Sequence, residues 1–388
     1  MSINYYNKYR HFIKIDKEDK ELNGLYNVLD DLINQYKRDI TLDEFKLSAL
    51  TKFPDYEEQV RQVEVANIGD DVLKDSITQL VDRSQARDLA ILCIDVTEGR
   101  KTIGDIMDFY TRFETRETLE EVEFVTDDLE MLYNETVHKA GLRWRLPTLN
   151  KMMGSLRKGD FGFLFARPET GKTTFLASEV THMAAQTERP ILWFNNEEQG
   201  MKVKVRCYQA TLGCNLAQLY TDRPRAYKEY MKRTKGNIKI FDSASVNKRT
   251  IEAICKEHEP ALIIFDQIDK VKGFNADRED LRLGSIYIWA RELAKTYAPV
   301  IGVCQSDVTG EGKKYLDMGN VANAKTSKQA EADWILGIGA IHDVGFEFMR
   351  YLHLSKNKLS GDEDTDPTLR HGKTEVIIHP DIARYKER

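Results

Sequence analysis

The sequence predicts an α/β fold, with a mostly parallel central sheet covered by helices on both faces and preceded by a small all-α region. From Gly141 onward, short apolar runs alternate with stretches of helical period, as in βα units with parallel strands. One junction between an apolar run and a helical stretch is a tight loop that ends in Gly171-Lys172-Thr173. Residues 1 to about 113 instead show helical periodicity without this alternation.

Length and composition limit the classes of protein to consider. The chain has 388 residues, enough for two domains, and its net charge of −6 excludes a globally basic nucleic-acid binder but not a local basic track. It shows no apolar stretch of membrane-spanning length and no signal-peptide core, so we expect a protein that acts without a membrane. The five scattered cysteines form no C-x-x-C pair, which favours reduced thiols in a cytoplasm and argues against a zinc module.

Three segments follow from the composition. Residues 1–113 form a helical N-terminal domain, with one amphipathic stripe at Leu22, Leu25, Leu29, Leu32, Ile33 and Tyr36. Residues 114–140 are acidic and helical in period with few apolar positions, which fits a linker helix that docks elsewhere or a last helix of the first domain. Residues 141–388 form the α/β domain.

The strands of that domain are predicted from its apolar runs, at 161–165, 191–194, 238–241, 262–265, 300–303, 334–338, 351–354 and 376–378. Helical stretches separate the early runs, which indicates parallel strands joined by crossover helices. The later runs are closer together and indicate an edge built of hairpins.

The loop between the run at 161–165 and its helix has the character of a phosphate cradle. In such loops backbone N–H groups point at the phosphates, Lys172 reaches the terminal phosphates and the Thr173 hydroxyl is offered to Mg²⁺. Ala166 replaces the first glycine of the usual pattern, and Glu169 must point outward. A chance surface turn is the alternative, and the flanking strand and helix patterns argue against it. The predicted nucleotide contacts are Arg167, Pro168, Glu169, Thr170, Gly171, Lys172, Thr173 and Thr174.

Two further strand ends carry carboxylates. Asp266 ends the run at 262–265, where it can orient Mg²⁺ beside the phosphate loop. Glu197 and Glu198 follow the run at 191–194, and either can act as the general base that activates water. For each glutamate, a solvated turn is the alternative.

Gln305 ends the run at 300–303 and can hydrogen-bond the γ-phosphate. The segment after it, residues 306–328, is predicted as a mobile basic loop that binds nucleic-acid phosphates without sequence preference. Its lysines are Lys313, Lys314, Lys325 and Lys328. The alternative is a solvated surface loop.

The order of these motifs resembles the DnaB-type replicative DNA helicases, whose ATPase domain is RecA-like. The segment 143–160, the loop Ala166-Arg-Pro-x-x-Gly-Lys-Thr and Phe194-Asn-Asn-Glu197 carry the resemblance, as do Asp266, Gln305 and the segment 329–333. The resemblance covers about residues 115–388, and it departs at 267–269, where Gln-Ile-Asp stands for the usual Tyr-Leu-Gln.

The resemblance adds roles for several residues. It favours Glu197 over Glu198 as catalytic base and matches Arg206 to a family arginine. It implies that Lys356 and Lys358 reach the ATP of a neighbouring subunit, with Lys358 at the arginine-finger position. Its weakest match places Arg384 and Tyr385 beside the base of the bound nucleotide.

The resemblance implies a homo-hexameric ring that hydrolyses ATP with Mg²⁺, moves along single-stranded DNA and unwinds duplex at the replication fork. It also implies a separate primase and a helicase loader as partners, and a site of action in the cytoplasm, that of a bacterial host if the protein comes from a phage. Two alternatives remain open. One is a RecA-type recombinase filament, and the other is a RecA-like ATPase that serves as a regulator or loader without motor output.

Overall fold

The computed structural model describes residues 2, 3, 6, 10, 19–65, 70–106, 109, 128–136, 141–274, 276–323 and 325–388. The chain divides into two compact units, residues 1–124 and 125–388. The boundaries at 113 and 140 stay predictions, because residues 110–127 and 137–140 of the expected linker region lie outside the described residues. Among the described helices, none is both long and apolar enough to cross a bilayer.

The first unit is helical where it is described. Its helices are α1 (Lys20–Tyr36), α2 (Leu42–Lys52), α3 (Glu57–Val65) and α4 (Asp70–Thr97). The predicted stripe on α1 buries Leu25, Leu32 and Ile33, whereas Leu22 and Tyr36 at its two ends are half exposed. A capping box formed by Thr41 and Glu44 starts α2.

The second unit carries nine strands and nine α-helices among its described residues. The strands are β1 (Phe161–Ala166), β2 (Ile191–Asn195), β3 (Ile238–Asp242), β4 (Leu262–Asp266), β5 (Val300–Gln305), β6 (Trp334–Gly339), β7 (Met349–Asn357), β8 (Lys373–His379) and β9 (Arg384–Glu387). The helices are α5 (Leu129–Thr136), α6 (Pro147–Met153), α7 (Lys172–Met183), α8 (Gly200–Leu212), α9 (Leu216–Thr221), α10 (Arg223–Thr234), α11 (Lys248–His258), α12 (Glu279–Thr296) and α13 (Lys325–Glu331).

The strands form one sheet in the order β3-β2-β4-β5-β1-β6-β7-β8-β9. Strands β1 to β6 are parallel, and β7, β8 and β9 add an antiparallel edge. Both predictions, the parallel sheet and the hairpin-rich edge, are confirmed. The eight predicted runs correspond to β1 to β8, and β9 is an additional strand formed by the C-terminal residues.

Helices cover both faces of the parallel part, as predicted. On one face, side chains of α7, α8 and α10 pack against alternate residues of the strands, among them Leu164 and Trp193. On the other face, α11 and α12 pack against the intervening residues, among them Phe163 and Phe265. Burial on both faces explains why the central strands read as continuous apolar runs rather than alternating ones.

The parallel arrangement brings the carboxyl ends of β1, β2, β4 and β5 to one edge of the sheet. Asn195 pairs with Asp266 across β2 and β4, and Ala166 pairs with Gln305 across β1 and β5. In open α/β sheets, ligands bind outside the carboxyl ends of the strands. Residues far apart in the sequence therefore meet at this edge, which is where the candidate site lies.

Candidate nucleotide-binding site

The phosphate loop leaves β1 at Ala166 and enters α7 at Lys172. Gly171 precedes the helix with a φ of 105°, a conformation that favours glycine, and Glu169 also has a positive φ of 59°. The Glu169 side chain is exposed, as is Pro168, whereas Thr170 is buried. The loop therefore keeps its acidic residue in solvent and ends at a helix N-terminus, where backbone N–H groups and the helix dipole favour an anion.

Two residues from the antiparallel edge of the sheet donate hydrogen bonds to carbonyl groups of this loop. The Tyr385 hydroxyl donates to the Gly171 carbonyl at 3.2 Å, and its ring packs edge-on against Phe175. Arg350 donates from Nε to the Thr170 carbonyl at 2.7 Å. The loop is thus held by β7 and β9 as well as by its own strand and helix.

These contacts correct the prediction that Arg384 and Tyr385 lie beside the base of the bound nucleotide. Tyr385 is 1% exposed, so its ring has no free face on which a base could stack. Arg384 donates from its guanidinium to the Ala210 and Thr211 carbonyls, at 2.6 and 3.1 Å, near the C-terminal end of α8. Its positive charge therefore stabilises the end of a helix.

Lys172, Thr173 and Asp266 lie together at the start of α7. Thr173 Oγ1 donates to Asp266 Oδ2 at 3.3 Å, and Lys172 Nζ donates to the Arg167 carbonyl at 3.4 Å. Burial lowers the pKa of the Lys172 ammonium, while the charges of Glu197 and Asp266 oppose that shift. Burial and the Glu197 charge raise the pKa of the Asp266 carboxyl to about 7.

The donor set suits a magnesium ion. Asp266 is 1% exposed, and its Oδ1 makes no hydrogen bond within the part of the chain that the structure describes. Buried polar atoms are nearly always paired, so an unpaired carboxylate oxygen beside a threonine hydroxyl fits the water shell of a hard cation.

The two candidate glutamates after β2 have different partners. Glu198 forms an ion pair with Arg206 on α8, which neutralises its charge. Glu197 instead accepts a hydrogen bond from Gln267 Nε2 at 2.9 Å. The charges of both glutamates raise the pKa of Asp266, and the effect of Glu197 is the larger. Glu197 thus has an amide as its partner, whereas Glu198 has the guanidinium of Arg206.

Gln305 lies at the end of β5 beside Ala166, and the segment after it folds back on the strand. The Gln305 carbonyl accepts from Ala322 N at 3.0 Å, and Ser306 Oγ donates to the Asn320 carbonyl at 2.8 Å. Arg167 of the phosphate loop donates to Glu311 at 2.7 Å and to the Ser306 carbonyl at 3.2 Å. The phosphate loop and the segment 306–328 are therefore in direct contact.

The four lysines predicted to bind DNA do not share one environment. Lys313 is exposed, and the exposed Lys314 places its ammonium 5.5 Å from the centre of the Tyr351 ring. The side chain of Lys325 lies outside the described residues. The prediction for Lys328 is wrong, because its side chain is fully buried and its Nζ donates to Asp269 Oδ2 at 2.6 Å.

Lys356 and Lys358 do not join the other site residues within this chain. Asn357 on β7 pairs with Trp334 on β6, which in turn pairs with Gly162 in the amino-terminal half of β1. Both lysines therefore lie toward the opposite edge of the sheet from the phosphate loop. Lys356 Nζ donates to the Gln329 carbonyl, while Lys358 is exposed.

Gln267 and Arg350 contact the site but were not among the predicted site residues. Gln267 entered the sequence analysis only as a departure from the family pattern, although a polar residue placed directly after Asp266 at a strand end was a signal for the site. Arg350 gave no signal, since nothing in its local pattern indicates that β7 approaches the phosphate loop.

Comparisons with known proteins show what this chain is similar to. A family model described as an AAA domain matches residues 128–311. The replicative DNA helicase DnaB of Pasteurella multocida (strain Pm70) is 25% identical over 268 residues, which cover 60% of this chain and 57% of that relative. The chain thus spans little more than half the length of this curated relative.

Two solved structures share the fold. One, described as an ATPase domain, has a TM-score of 0.54 at 15% identity, covering 73% of this chain and 98% of that one. A DnaB-like replicative helicase, studied with its interactions with primase, has a TM-score of 0.56 at 14% identity, covering 94% and 91% of the two chains. The two solved structures show that the chain has a RecA-like fold. The predicted resemblance to the DnaB-type replicative helicases is confirmed by the sequence similarity to the Pasteurella multocida DnaB.

Proposed function

We propose that this chain is a subunit of a hexameric, ring-forming DNA helicase that hydrolyses ATP, moves along single-stranded DNA and unwinds duplex at the replication fork. One observation carries the proposal. Lys172, Thr173, Glu197 and Asp266 meet at one edge of the sheet, whereas Lys356 and Lys358 lie toward the other edge. A site divided in this way is complete only between two copies of the chain.

The phosphates of ATP bind at the N-terminus of α7 in this proposal. The Lys172 ammonium neutralises the terminal phosphates, and the Gly171 turn lets the backbone approach them closely. Thr173 and Asp266 hold Mg²⁺, which neutralises charge on the phosphate oxygens. Tyr385 and Arg350 keep the loop in the conformation that binds them.

Hydrolysis requires a catalytic base, and coupling to DNA requires a group that contacts the γ-phosphate. Glu197 accepts the proton of the attacking water, since Glu198 is already paired with Arg206. Gln305 hydrogen-bonds the γ-phosphate at the end of β5. Loss of that phosphate then changes the conformation of the segment 306–328, because Ala322 N of this segment donates to the Gln305 carbonyl.

A neighbouring subunit supplies the remaining charge. Lys358 is exposed at the far edge of the sheet, which places it on a surface that can meet the next copy of the chain. A lysine provides a point charge rather than the bidentate fork of an arginine, so its contribution to the transition state is smaller than that of an arginine finger.

The exposed lysines Lys313 and Lys314 are the residues of the segment 306–328 that we propose to bind DNA phosphates, without sequence preference. A separate primase and a loader are the proposed protein partners, and the proposed place of action is the cytoplasm. The net charge of −6 is compatible with this role, because DNA would meet only the local positive charge of the channel.

Replacement of Lys172 with alanine tests the proposal. We expect the Lys172→Ala variant to lose ATPase activity stimulated by single-stranded DNA while keeping its melting temperature, and the exposed-lysine control Lys151→Ala to keep both. Activity retained in Lys172→Ala would refute the proposed site.

Two further measurements separate the alternatives. Electron microscopy with an ATP analogue and single-stranded DNA should show closed six-membered rings, and open filaments would indicate a recombinase. A fork-unwinding assay that fails while ATPase activity persists would indicate a regulator or loader.

A further inference from the structure

Gln267 occupies an unusual position directly after Asp266. Its side chain is 3% exposed, and its φ of 74° lies in the left-handed region that a glutamine rarely adopts. Such strain persists where the surrounding structure fixes it, and it concentrates at functional sites. We propose that Gln267 is a positioning residue that holds the Glu197 carboxylate in place to receive the proton of the attacking water. The proposal rests on the function proposed above.

The hydrogen bond between the two side chains is the central observation. Gln267 Nε2 donates to Glu197 Oε2 at 2.9 Å, a normal length for a bond from an amide to a carboxylate. Glu197 is exposed, and an exposed glutamate exchanges among several rotamers unless a partner restrains it. The bond uses Oε2 and leaves the lone pairs of Oε1 for the water. A base held in this way is in reach of its proton before the reaction starts.

A second hydrogen bond fixes Gln267 itself. Asn196 Nδ2 donates to the Gln267 carbonyl at 3.0 Å, and the Asn196 side chain is 8% exposed. Asn196 directly precedes Glu197 in the chain. The two bonds therefore join the chain after β2 to the chain after β4. In one, the Asn196 side chain donates to the main chain of Gln267, and in the other the Gln267 side chain donates to the Glu197 side chain.

The turn that follows Gln267 is anchored in the core of the domain. Asp269 accepts from Lys328 Nζ at 2.6 Å and from the Tyr287 hydroxyl at 3.1 Å, and its carbonyl accepts from Arg282 at 3.1 Å. These partners lie on α12 and α13. Gln267 therefore stands on a rigid support, which a positioning residue needs if it is to restrain an exposed side chain.

The buried ion pair also connects this support to the basic segment. Lys328 lies at the C-terminal end of the segment 306–328, on α13, and donates to the Ala322 carbonyl at 3.0 Å as well. Lys328 therefore ties the end of that segment to the turn that carries Gln267.

Steady-state ATP hydrolysis by the full chain with single-stranded DNA tests the proposal. Gln267→Met keeps the length of the side chain and removes its amide. We expect kcat to fall about 10- to 100-fold, the size of effect that a misplaced reacting group produces, while KM and nucleotide affinity stay within about twofold. Gln199→Met, which removes an exposed amide two residues after Glu197, should leave kcat unchanged.

Gln267→Asn separates positioning from a structural role. Asparagine adopts the left-handed conformation more readily than glutamine, so this variant should unfold at the same temperature as the unmodified chain or higher. Its amide is one methylene too short for Glu197, so kcat should still fall. A stable Gln267→Asn variant with unchanged kcat would overturn the proposal.

A double substitution provides the second criterion. In a Glu197→Ala background, adding Gln267→Met should not reduce the residual rate further, because the residue on which Gln267 acts is gone. An additive loss would show that Gln267 acts independently of Glu197 and would overturn the proposal. Hydrolysis that needs Lys172 but is unchanged by Gln267→Met refutes the positioning role alone, whereas failure of the unmodified chain to hydrolyse ATP refutes the proposed function as well.

Discussion

Replacement of Lys328 with methionine separates a structural role of this residue from the DNA-binding role that its sequence context indicated. The Lys328 side chain is 0% exposed, and its ammonium is bonded to Asp269 and to the Ala322 carbonyl and lies 5.4 Å from the centre of the Tyr287 ring. Methionine has a similar length and is uncharged. The substitution therefore removes the charge and its hydrogen bonds with little change in volume.

The expected loss of unfolding free energy follows from the state in which the substitution leaves Asp269. Removal of one partner of a buried ion pair costs about 3–5 kcal/mol, because the other charge is left without compensation. The Asp269 side chain is 21% exposed and keeps its bond from the Tyr287 hydroxyl, so the lower end applies. A loss of about 3 kcal/mol lowers the melting temperature of a domain of this size by about 6–12 °C.

Thermal and urea unfolding of the full chain measure this effect. The matched control is Lys313→Met, which removes an exposed lysine from the same segment and should change the free energy of unfolding by less than about 0.5 kcal/mol. The double variant Lys328→Met with Asp269→Asn removes both charges, so it should recover most of the loss, because a buried ion pair replaced by uncharged groups is often nearly neutral.

The opposite pattern would refute this reasoning. If Lys328→Met left the unfolding free energy within about 0.5 kcal/mol of the unmodified chain and weakened binding of single-stranded DNA, Lys328 would be an accessible phosphate contact. Under the proposed function, Lys313→Met should weaken DNA binding without changing stability, and it should reduce the dependence of affinity on salt.

Three further outcomes are expected. Tyr385→Phe removes the hydroxyl that donates to the Gly171 carbonyl at 3.2 Å, so nucleotide affinity in a fluorescent-nucleotide titration should fall by about 0.5–1 kcal/mol. Gly162→Ala places a Cβ 2.2 Å from the Trp334 indole, so urea unfolding should show a loss of about 1–3 kcal/mol. Burial raises the pKa of the Glu179 carboxyl from 4.5 to about 7, so the folded state holds a proton that the unfolded chain releases, and the unfolding free energy should fall as pH rises through that window. Glu179→Gln should make this fall smaller without abolishing it, because burial also raises the pKa of the Asp266 carboxyl to about 7 and that of Asp160 to about 6.

Controls for these outcomes come from the same chain. Tyr351→Phe removes a buried hydroxyl that has no hydrogen-bond partner in the described part of the structure, so nucleotide affinity should not change. Gly284→Ala on α12 places a Cβ at an ordinary 3.4 Å from Ser327, so it should not destabilise. A stability that rises between pH 5 and 7, or Gly162→Ala and Gly284→Ala variants of equal stability, would contradict the structural assignments.

Most of the fold could be predicted from the sequence because its signals are local. Apolar runs of strand length marked β1 to β8, and their spacing distinguished crossover helices from hairpins. The strand β9 was not among the predicted runs, since three of the four residues of Arg384-Tyr-Lys-Glu387 are charged and only Tyr385 is deeply buried. The boundaries of the linker segment stay predictions.

The candidate site was predictable to the extent that its chemistry lies at strand ends. Lys172, Thr173 and Asp266 stand where a motif and a parallel sheet must place them, and the structure brings them together. Lys328 was misassigned, because a lysine in a polar segment looks exposed until the elements that cover it are known. The predicted role of Tyr385 came from the weakest match of the resemblance, and such a match does not tell whether the ring is buried. Arg350 was missed for the complementary reason, since its contact joins residues 180 positions apart.

The sequence by itself determined the phosphate loop, the parallel sheet and the set of carboxylates at its edge, because each depends on residue type, on short apolar runs and on the helical stretches between them. Only the tertiary structure decided which charged side chains are free to contact a ligand and which are held by other residues. Arg206 neutralises Glu198, Gln267 restrains Glu197, and Asp269 buries the charge of Lys328. These choices depend on distances of about 3 Å between residues far apart in the chain, which local periodicity does not specify.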